Sequence, residues 1–177
     1  MLEANKEIAA QYITHKRKWL IASDISYPIP GDYSNIDILA FDPKTNRYYD
    51  IEIKYRQPSI KSATNQKIES TKTESIQWIV DEFRHTPGRL VAICDYIGTN
   101  QCTKILITTK HYFGTTSKKR TLLENAFFNE MAKSEFANSE IWYFENIIPE
   151  LVETISTDGV HNTLLLQVIR LLKTYIH

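Results

Sequence analysis

Apolar and polar positions alternate with two different periods along the chain, and the change of period marks its elements. Residues 2–18 carry Ile8, Ala9, Tyr12 and Ile13 at helical spacing with no Gly or Pro, which predicts a first helix. Residues 19–27 are β-rich and stop at Pro28-Ile29-Pro30-Gly31. Two further β runs, 36–41 and 48–56, flank Asp42-Pro43-Lys44-Thr45-Asn46-Arg47, a turn sequence that predicts a hairpin. A polar stretch opens at Pro58, and a helix is expected over 65–84, with Ile76, Ile79, Val80 and Phe83 on one face before Pro87-Gly88. Residues 90–97 and 104–109 read as apolar strands joined by Gly98-Thr99-Asn100-Gln101. A long helix over 117–137, a short strand over 140–144 and helices over 148–155 and 163–176 complete the chain. This order predicts an α/β fold, a mixed central sheet flanked by helices.

In the hairpin the pattern carries chemistry. Alternate strand residues share a face, so Asp50, Glu52, Lys54 and Arg56 point one way, and Tyr49, Ile51, Ile53 and Tyr55 the other. If Pro43-Lys44-Thr45-Asn46 is a four-residue loop, Asp42 pairs with Arg47 and Asp37 falls opposite Glu52. Directly opposed Cβ atoms lie about 4.5–5.5 Å apart. Two carboxylates that close repel unless a proton or a cation lies between them. Mg²⁺ suits such a pair, because it accepts one or two carboxylates and keeps several waters. Lys54 stands about 6.6 Å further along the same face, beside any phosphate held there. The alternative is a solvated hairpin face of alternating charges; Leu39 and Phe41, which flank Asp37 on its own face, make a plain surface role less natural.

These residues resemble the PD-(D/E)xK nuclease superfamily, the restriction-endonuclease-like fold. Its core runs helix, three strands, helix, strand, with an Asp near the start of the second strand and E-x-K in the third. Asp37 and Glu52-Ile53-Lys54 stand at those positions, and the resemblance covers about residues 2–97. Ile36 replaces the usual Pro, and Ser70 follows four residues after Gln66, so the Q-x-x-x-Y motif of the RecB-like branch is absent. The resemblance implies a Mg²⁺-dependent endonuclease acting on DNA phosphodiesters, with Mn²⁺ able to substitute. Asp37, Glu52 and the Ile53 carbonyl would hold the metal, and Lys54 would orient the attacking water. It also implies an auxiliary acid from the first helix, for which Glu7 is the candidate and Glu3 the second; an ordinary solvated helix Glu is the alternative and the more common case. Asp24, Asp32 and Ser34 read as turn residues. The other reading is a nuclease-fold module that binds nucleic acid or assembles with protein and no longer cuts.

Charge and size refine this picture. At about 150 residues per domain, 177 residues form a single domain, with a nuclease-like core over about 2–110 and a helical elaboration over about 117–177. The 21 basic and 21 acidic residues cancel, which weakens any indiscriminate polyanion binder, because such affinity comes from Lys and Arg neutralising phosphates. The sum hides local windows. Residues 54–72 hold Lys54, Arg56, Lys61, Lys67 and Lys72 against Glu69 alone, and residues 102–120 hold five basic residues and no acid. Lys16-Arg17-Lys18 adds a third cluster, whereas residues 124–158 hold eight acids and only Lys133. A basic groove around the hairpin is therefore expected, with Arg56, Lys61 and Lys67 contacting nucleic acid; DNA and RNA are not separated by the sequence. Three unrelated solvated patches are the alternative.

Cys94 and Cys102 lack CxxC or His-pair spacing and read as reduced thiols. The five histidines show no ligand spacing. The broad apolar face of the last helix, with Leu164, Leu165, Val168, Ile169, Leu172 and Ile176, reads as core or as a homodimer surface. No N-terminal stretch resembles a signal peptide, and the apolar runs fall short of the roughly 20 residues that span a bilayer. A cytoplasmic protein without membrane contact is expected.

Overall fold

The computed structural model describes residues 4–55, 77, 80–81, 87–99, 101–133, 138–156 and 163–175. Helix α1 (Ala4–Gln11) widens into a π-helical turn, Tyr12–Arg17, that ends where Lys18 turns left-handed at φ 63°. Three strands follow: β1 (Leu20–Ile29), β2 (Asp32–Asp42) and β3 (Arg47–Lys54). Next come α2 (Pro87–Ile97), β4 (Thr103–Thr108), α3 (Lys110–Phe113) and α4 (Ser117–Ala132). Strand β5 (Ser139–Tyr143), α5 (Phe144–Thr154) and α6 (Leu164–Tyr175) close the chain.

The five strands form one sheet in the order β1-β2-β3-β4-β5. The first three are an antiparallel meander, and β4 and β5 add parallel to β3. The fold is thus α/β with a mixed open sheet, as the element order predicts. Alternation assigns the two faces, in β2 from Ile38 onward; it breaks at Asp37, so that Ile36 joins Leu39 and not Ile38. Ile38, Ala40, Tyr49, Ile51, Ile53, Ile105 and Ile107 face a core closed by α1, α5 and α6 through Ala9, Ile13, Leu151 and Ile169. Trp19 stacks on Tyr49 within it, ring centroids 4.1 Å apart and planes 12° from parallel. The opposite face carries two smaller clusters. Leu39 and Ile36 meet Ile93 of α2 and Tyr27; Leu106 meets Phe113 of α3 and Phe127 of α4. Between these two patches the same face is charged.

One predicted element is corrected. Residues 90–97 are helical, not a strand, as part of α2. Pro87 suits a first helical position, where its missing N–H is unneeded. The run Leu90, Ile93, Cys94, Ile97 satisfies helical spacing as well as it satisfies a strand, and the buried Arg89 and Ile93 lie on one face at i, i+4. Gly88 fits this helix start against β1, because a Cβ there would come within 2.4 Å of the Pro28 carbonyl oxygen. Gly88→Ala is expected to lower stability by roughly 1–3 kcal/mol, the usual cost of overpacking, read as the shift in a urea unfolding midpoint. An unchanged midpoint would show that α2 is not seated this closely.

The break expected at 28–31 is shorter than predicted. β1 runs through Pro28 to Ile29, and the turn is confined to Pro30 and Gly31, the latter at φ 81°. Pro28 is tolerated because β1 is an edge strand of the described sheet, where a missing N–H breaks no ladder on the open side. Gln77, Val80 and Asp81 are helical, within the helix expected over 65–84; the rest of that span lies outside the described residues. In α6, Leu166 and Ile169 are buried, while Leu164, Val168, Leu171 and Leu172 are exposed. Among the described residues no helix is long and apolar enough to cross a membrane.

Candidate functional site

The β2–β3 hairpin has the register its turn predicts. Asp42 pairs with Arg47, and the ladder runs from there to Ile38 opposite Ile51. Asp42 itself fixes the loop: its carboxylate accepts the Lys44 N–H at 2.9 Å and the Thr45 hydroxyl at 2.8 Å, while Asn46 takes the left-handed position at φ 56°. One step beyond the last ladder pair stand Asp37 and Glu52. There the Asp37 Oδ2 accepts the backbone N–H of Ile53 at 2.8 Å, so a side chain replaces the next backbone bond and ties the two strands together.

Both acids are nearly buried, Asp37 at 7% exposure and Glu52 at 3%. Burying a carboxylate without a partner is expensive, and each has cations. Lys6 of α1 places its Nζ 2.6 Å from Asp37 Oδ1 and 3.1 Å from Asp24 Oδ1. Burial disfavours the Lys6 ammonium, but the two carboxylates outweigh it and hold its pKa above the ordinary lysine value. Glu52 is held at both oxygens: Lys54 on Oε1, and Arg89 on Oε2 at 3.0 Å.

Behind Glu52 lies a fully buried network that the sequence reading does not contain. Arg89 donates from Nε and Nη2 to Asp50 Oδ2 and Oδ1, at 3.0 and 2.6 Å, and its third nitrogen serves Glu52. A planar guanidinium is the one side chain that can fork onto one carboxylate and still bridge to a second two residues along the strand. Lys104, opposite Asp50 in the β3–β4 register, adds its Nζ to Asp50 Oδ2 at 2.7 Å. Asp50, Arg89 and Lys104 are all 0% exposed. Lys104 is therefore committed to a carboxylate and removed from the basic groove expected over 102–120. Cys102 lies 3.6 Å from Lys104; burial pushes its thiol up to about 11 despite that ammonium, so it is protonated at neutral pH.

Burial would raise the Asp50 carboxyl, yet the charges of Arg89 and Lys104 bring it down to about 2 from an ordinary 3.8. The depressed value means that the ionised form favours the folded state. This contribution is complete above the unfolded pKa and is lost as pH falls through the folded one. A difference of this size corresponds to roughly 2–3 kcal/mol. Denaturant titrations are therefore expected to show stability falling by about that amount between pH ~4 and pH ~2, with a loss removed in Asp50→Asn. A flat profile over that window would contradict the network.

The sequence-predicted residues separate as follows. Asp37, Glu52, Ile53 and Lys54 come together at one end of the hairpin. Glu7 is half-buried on α1, and the α1 side chain that reaches Asp37 is its neighbour Lys6. Arg56, Lys61 and Lys67 lie outside the described residues, as does Glu3. Asp24, expected in a turn, lies within β1. Sequence reasoning does not find Lys6, Asp50, Arg89 or Lys104; only Asp50 leaves a signal, as the first charged position in the alternation Asp50, Glu52, Lys54.

Each of the four carboxylate oxygens has a partner: Lys6 and the Ile53 N–H on Asp37, Lys54 and Arg89 on Glu52. Among the described residues no group of three or more His, Cys, Asp or Glu side chains is placed to hold a metal ion. A divalent ion entering here would have to displace one of these cations, and a zinc-like ion needing four protein ligands has no such set among the described residues. No protein-family model matches the chain, and no curated protein or solved structure is significantly similar to it.

Proposed function

We propose that the chain is a Mg²⁺-dependent nuclease of the PD-(D/E)xK type that hydrolyses DNA phosphodiester bonds at Asp37, Glu52 and Lys54. The observation that carries the reading is the closure of the β2–β3 hairpin. Asp37 is bonded to the backbone of Ile53, the residue after Glu52, with Lys54 on the Glu52 carboxylate. Two acids and a lysine from two adjacent strands lie at one end of the hairpin, near the surface through Lys54 and Lys6, both 20% exposed. The mixed sheet with an antiparallel meander and a parallel fourth strand supports the same reading.

Asp37, Glu52 and the Ile53 carbonyl would hold the metal, which when bound supplies Lewis-acid polarisation of the phosphate and lowers the pKa of a water. The residues of the chain do the rest. Asp37 is fixed through Oδ2 to the Ile53 N–H and through Oδ1 to Lys6. Arg89 clamps Glu52 Oε2 from below and leaves Oε1 facing Lys54. On this reading Lys54 exchanges its contact with Glu52 for the scissile phosphate, where its charge offsets the negative charge that develops. Arg56, Lys61 and Lys67 would hold the phosphate backbone, positioning it without reading sequence.

A second reading is favoured by one observation. The four carboxylates Asp24, Asp37, Asp50 and Glu52 are matched by four cations, Lys6, Lys54, Arg89 and Lys104, so the site is balanced without a metal. This is what a binding module on the same fold, no longer cutting, would show. Thermal unfolding in Mn²⁺ separates the two. The nuclease reading expects a rise in Tm that Glu52→Ala abolishes; nucleic-acid binding with no Mn²⁺ shift, surviving Glu52→Ala, would favour the module.

A further inference from the structure

A cavity of about 150 Å³ lies where the π-helical turn meets β5 and α5, lined by Arg17, Glu150 and Asn146 and by the rings of Tyr12 and Trp142. The turn ends at Lys18, whose left-handed backbone sends Trp19 into the core and leaves Arg17 at the surface. There the guanidinium carbon lies 4.7 Å from the Trp142 ring centroid and 5.2 Å from that of Trp19. Two indoles thus hold Arg17 in place, and among the described residues no carboxylate pairs with it, so its N–H groups remain open. Glu150 lines the same cavity from α5. Its Oε2 accepts the Tyr12 hydroxyl at 3.0 Å; burial and that bond push the phenol up to about 12, which keeps it a donor at neutral pH. Glu150 Oε1 and the Asn146 amide have no protein partner among the described residues. A cation and a carboxylate therefore line one cavity without meeting.

Such a pair fits a flat ligand with acceptors on one edge and donors on the next. Guanine is the nucleobase of that pattern: O6 and N7 accept from a guanidinium, and the adjoining N1–H and N2–H donate to a carboxylate. The cavity is well below the roughly 300–1,000 Å³ of a drug-sized pocket, so it admits one ring system and leaves sugar and phosphate outside. Lys16 and Lys18, the exposed chain neighbours of Arg17, are the cations nearest in sequence for that phosphate, and a free amino acid bridging the same pair would leave them unused. We propose that this cavity binds an unpaired guanine base, with Arg17 on O6 and N7, Glu150 on N1 and N2, and Trp142 and Tyr12 as its aromatic walls. The inference takes its ligand class from the nucleic-acid reading above and uses none of the residues assigned to the metal. It gives the chain a base preference, which phosphate contacts alone do not supply. One continuous helical run carries both Lys6, on Asp37, and Arg17, so the base site and that carboxylate are tied to the same element.

The test is calorimetric titration of the full chain, in EDTA, with short single-stranded oligothymidylates that carry G, A, C or T at the centre. The G oligonucleotide is expected to bind about 10-fold or more tightly than the others, and Arg17→Gln and Glu150→Gln should each weaken it by about 10–100-fold, the loss of one bidentate pair. Both variants should melt like wild type, because Arg17 is exposed and Gln keeps an oxygen for the Tyr12 hydroxyl. No binding, equal affinity for the four oligonucleotides, a G preference that survives both substitutions, or binding of free leucine in their place overturns the proposal. Guanine binding by a chain that cuts no DNA with any metal would overturn the nuclease reading alone. Metal-dependent cleavage without a guanine preference in binding would overturn this inference alone.

Discussion

Asp37→Asn is expected to lower Mg²⁺-dependent cleavage of DNA by about 10²–10³-fold, the loss typical when one charge-stabilising group is removed from a reacting centre. The substitution is chosen because its structural cost is small. Asn keeps an oxygen for the Ile53 N–H, and Lys6 keeps Asp24 as a partner. Since the Lys6 head is partly exposed, the weakened ion pair should cost no more than about 1 kcal/mol. A large fall in rate with a nearly unchanged unfolding midpoint is therefore the signature of a functional carboxylate. Lys54→Ala should lower the rate by a similar factor but through a different route. Its ammonium no longer competes at Glu52 Oε1, so Mn²⁺ affinity should hold or rise while kcat falls. Single-turnover kinetics with metal titrations separate the two variants. Equal loss of metal affinity in both would mean that Lys54 only shapes the site.

Arg89→Met should destabilise the fold by about 3–5 kcal/mol, the largest stability effect expected of any single change here. The reason lies in what remains, not in what is removed. Arg89 donates to Asp50 twice and to Glu52 once, with all three groups at or below 3% exposure. Without the guanidinium, Lys104 still neutralises Asp50, but buried Glu52 loses the Arg89 charge on Oε2. Arg89→Lys should recover only part of the loss, since one ammonium cannot fork onto Asp50 and reach Glu52 together. The measurement is urea unfolding at pH 7, followed at pH ~5 and pH ~3. Because the loss comes from ionised carboxylates, the gap between Arg89→Met and wild type should narrow as pH falls toward the range in which those carboxylates are protonated. A loss below about 1 kcal/mol would show that the network is not what seats α2 on the sheet.

Local chemistry was the legible part of this molecule. The Asp42 to Arg47 turn closes a loop of set length, so counting outward from it gives the register as far as Ile38 opposite Ile51, with Asp37 and Glu52 one step beyond. Elements that depend on distant partners were hidden. An eight-residue apolar run such as 90–97 suits a buried strand or a buried helix, and periodicity alone does not choose. What settles it is Arg89, whose acceptors Asp50 and Glu52 lie on a strand nearly forty positions earlier. Lys104 looked like one member of a basic window because its partner Asp50 is fifty-four positions away. Lys6 stands beside the more suggestive Glu7, and its contact with Asp37 exists only once α1 is laid against the sheet. Charge windows count residues; the fold decides which of them remain available to a phosphate.

That Asp37, Glu52 and Lys54 form a working metal-dependent site is tested most directly on wild-type protein with supercoiled plasmid and branched DNA, in Mg²⁺ or Mn²⁺ and then in excess EDTA. The expected result is conversion to nicked, linear or resolved products with metal, its abolition by EDTA, and its loss in Asp37→Asn and Lys54→Ala preparations that melt like wild type. DNA left intact in both metals, or cleavage that persists in those variants, would contradict the assignment.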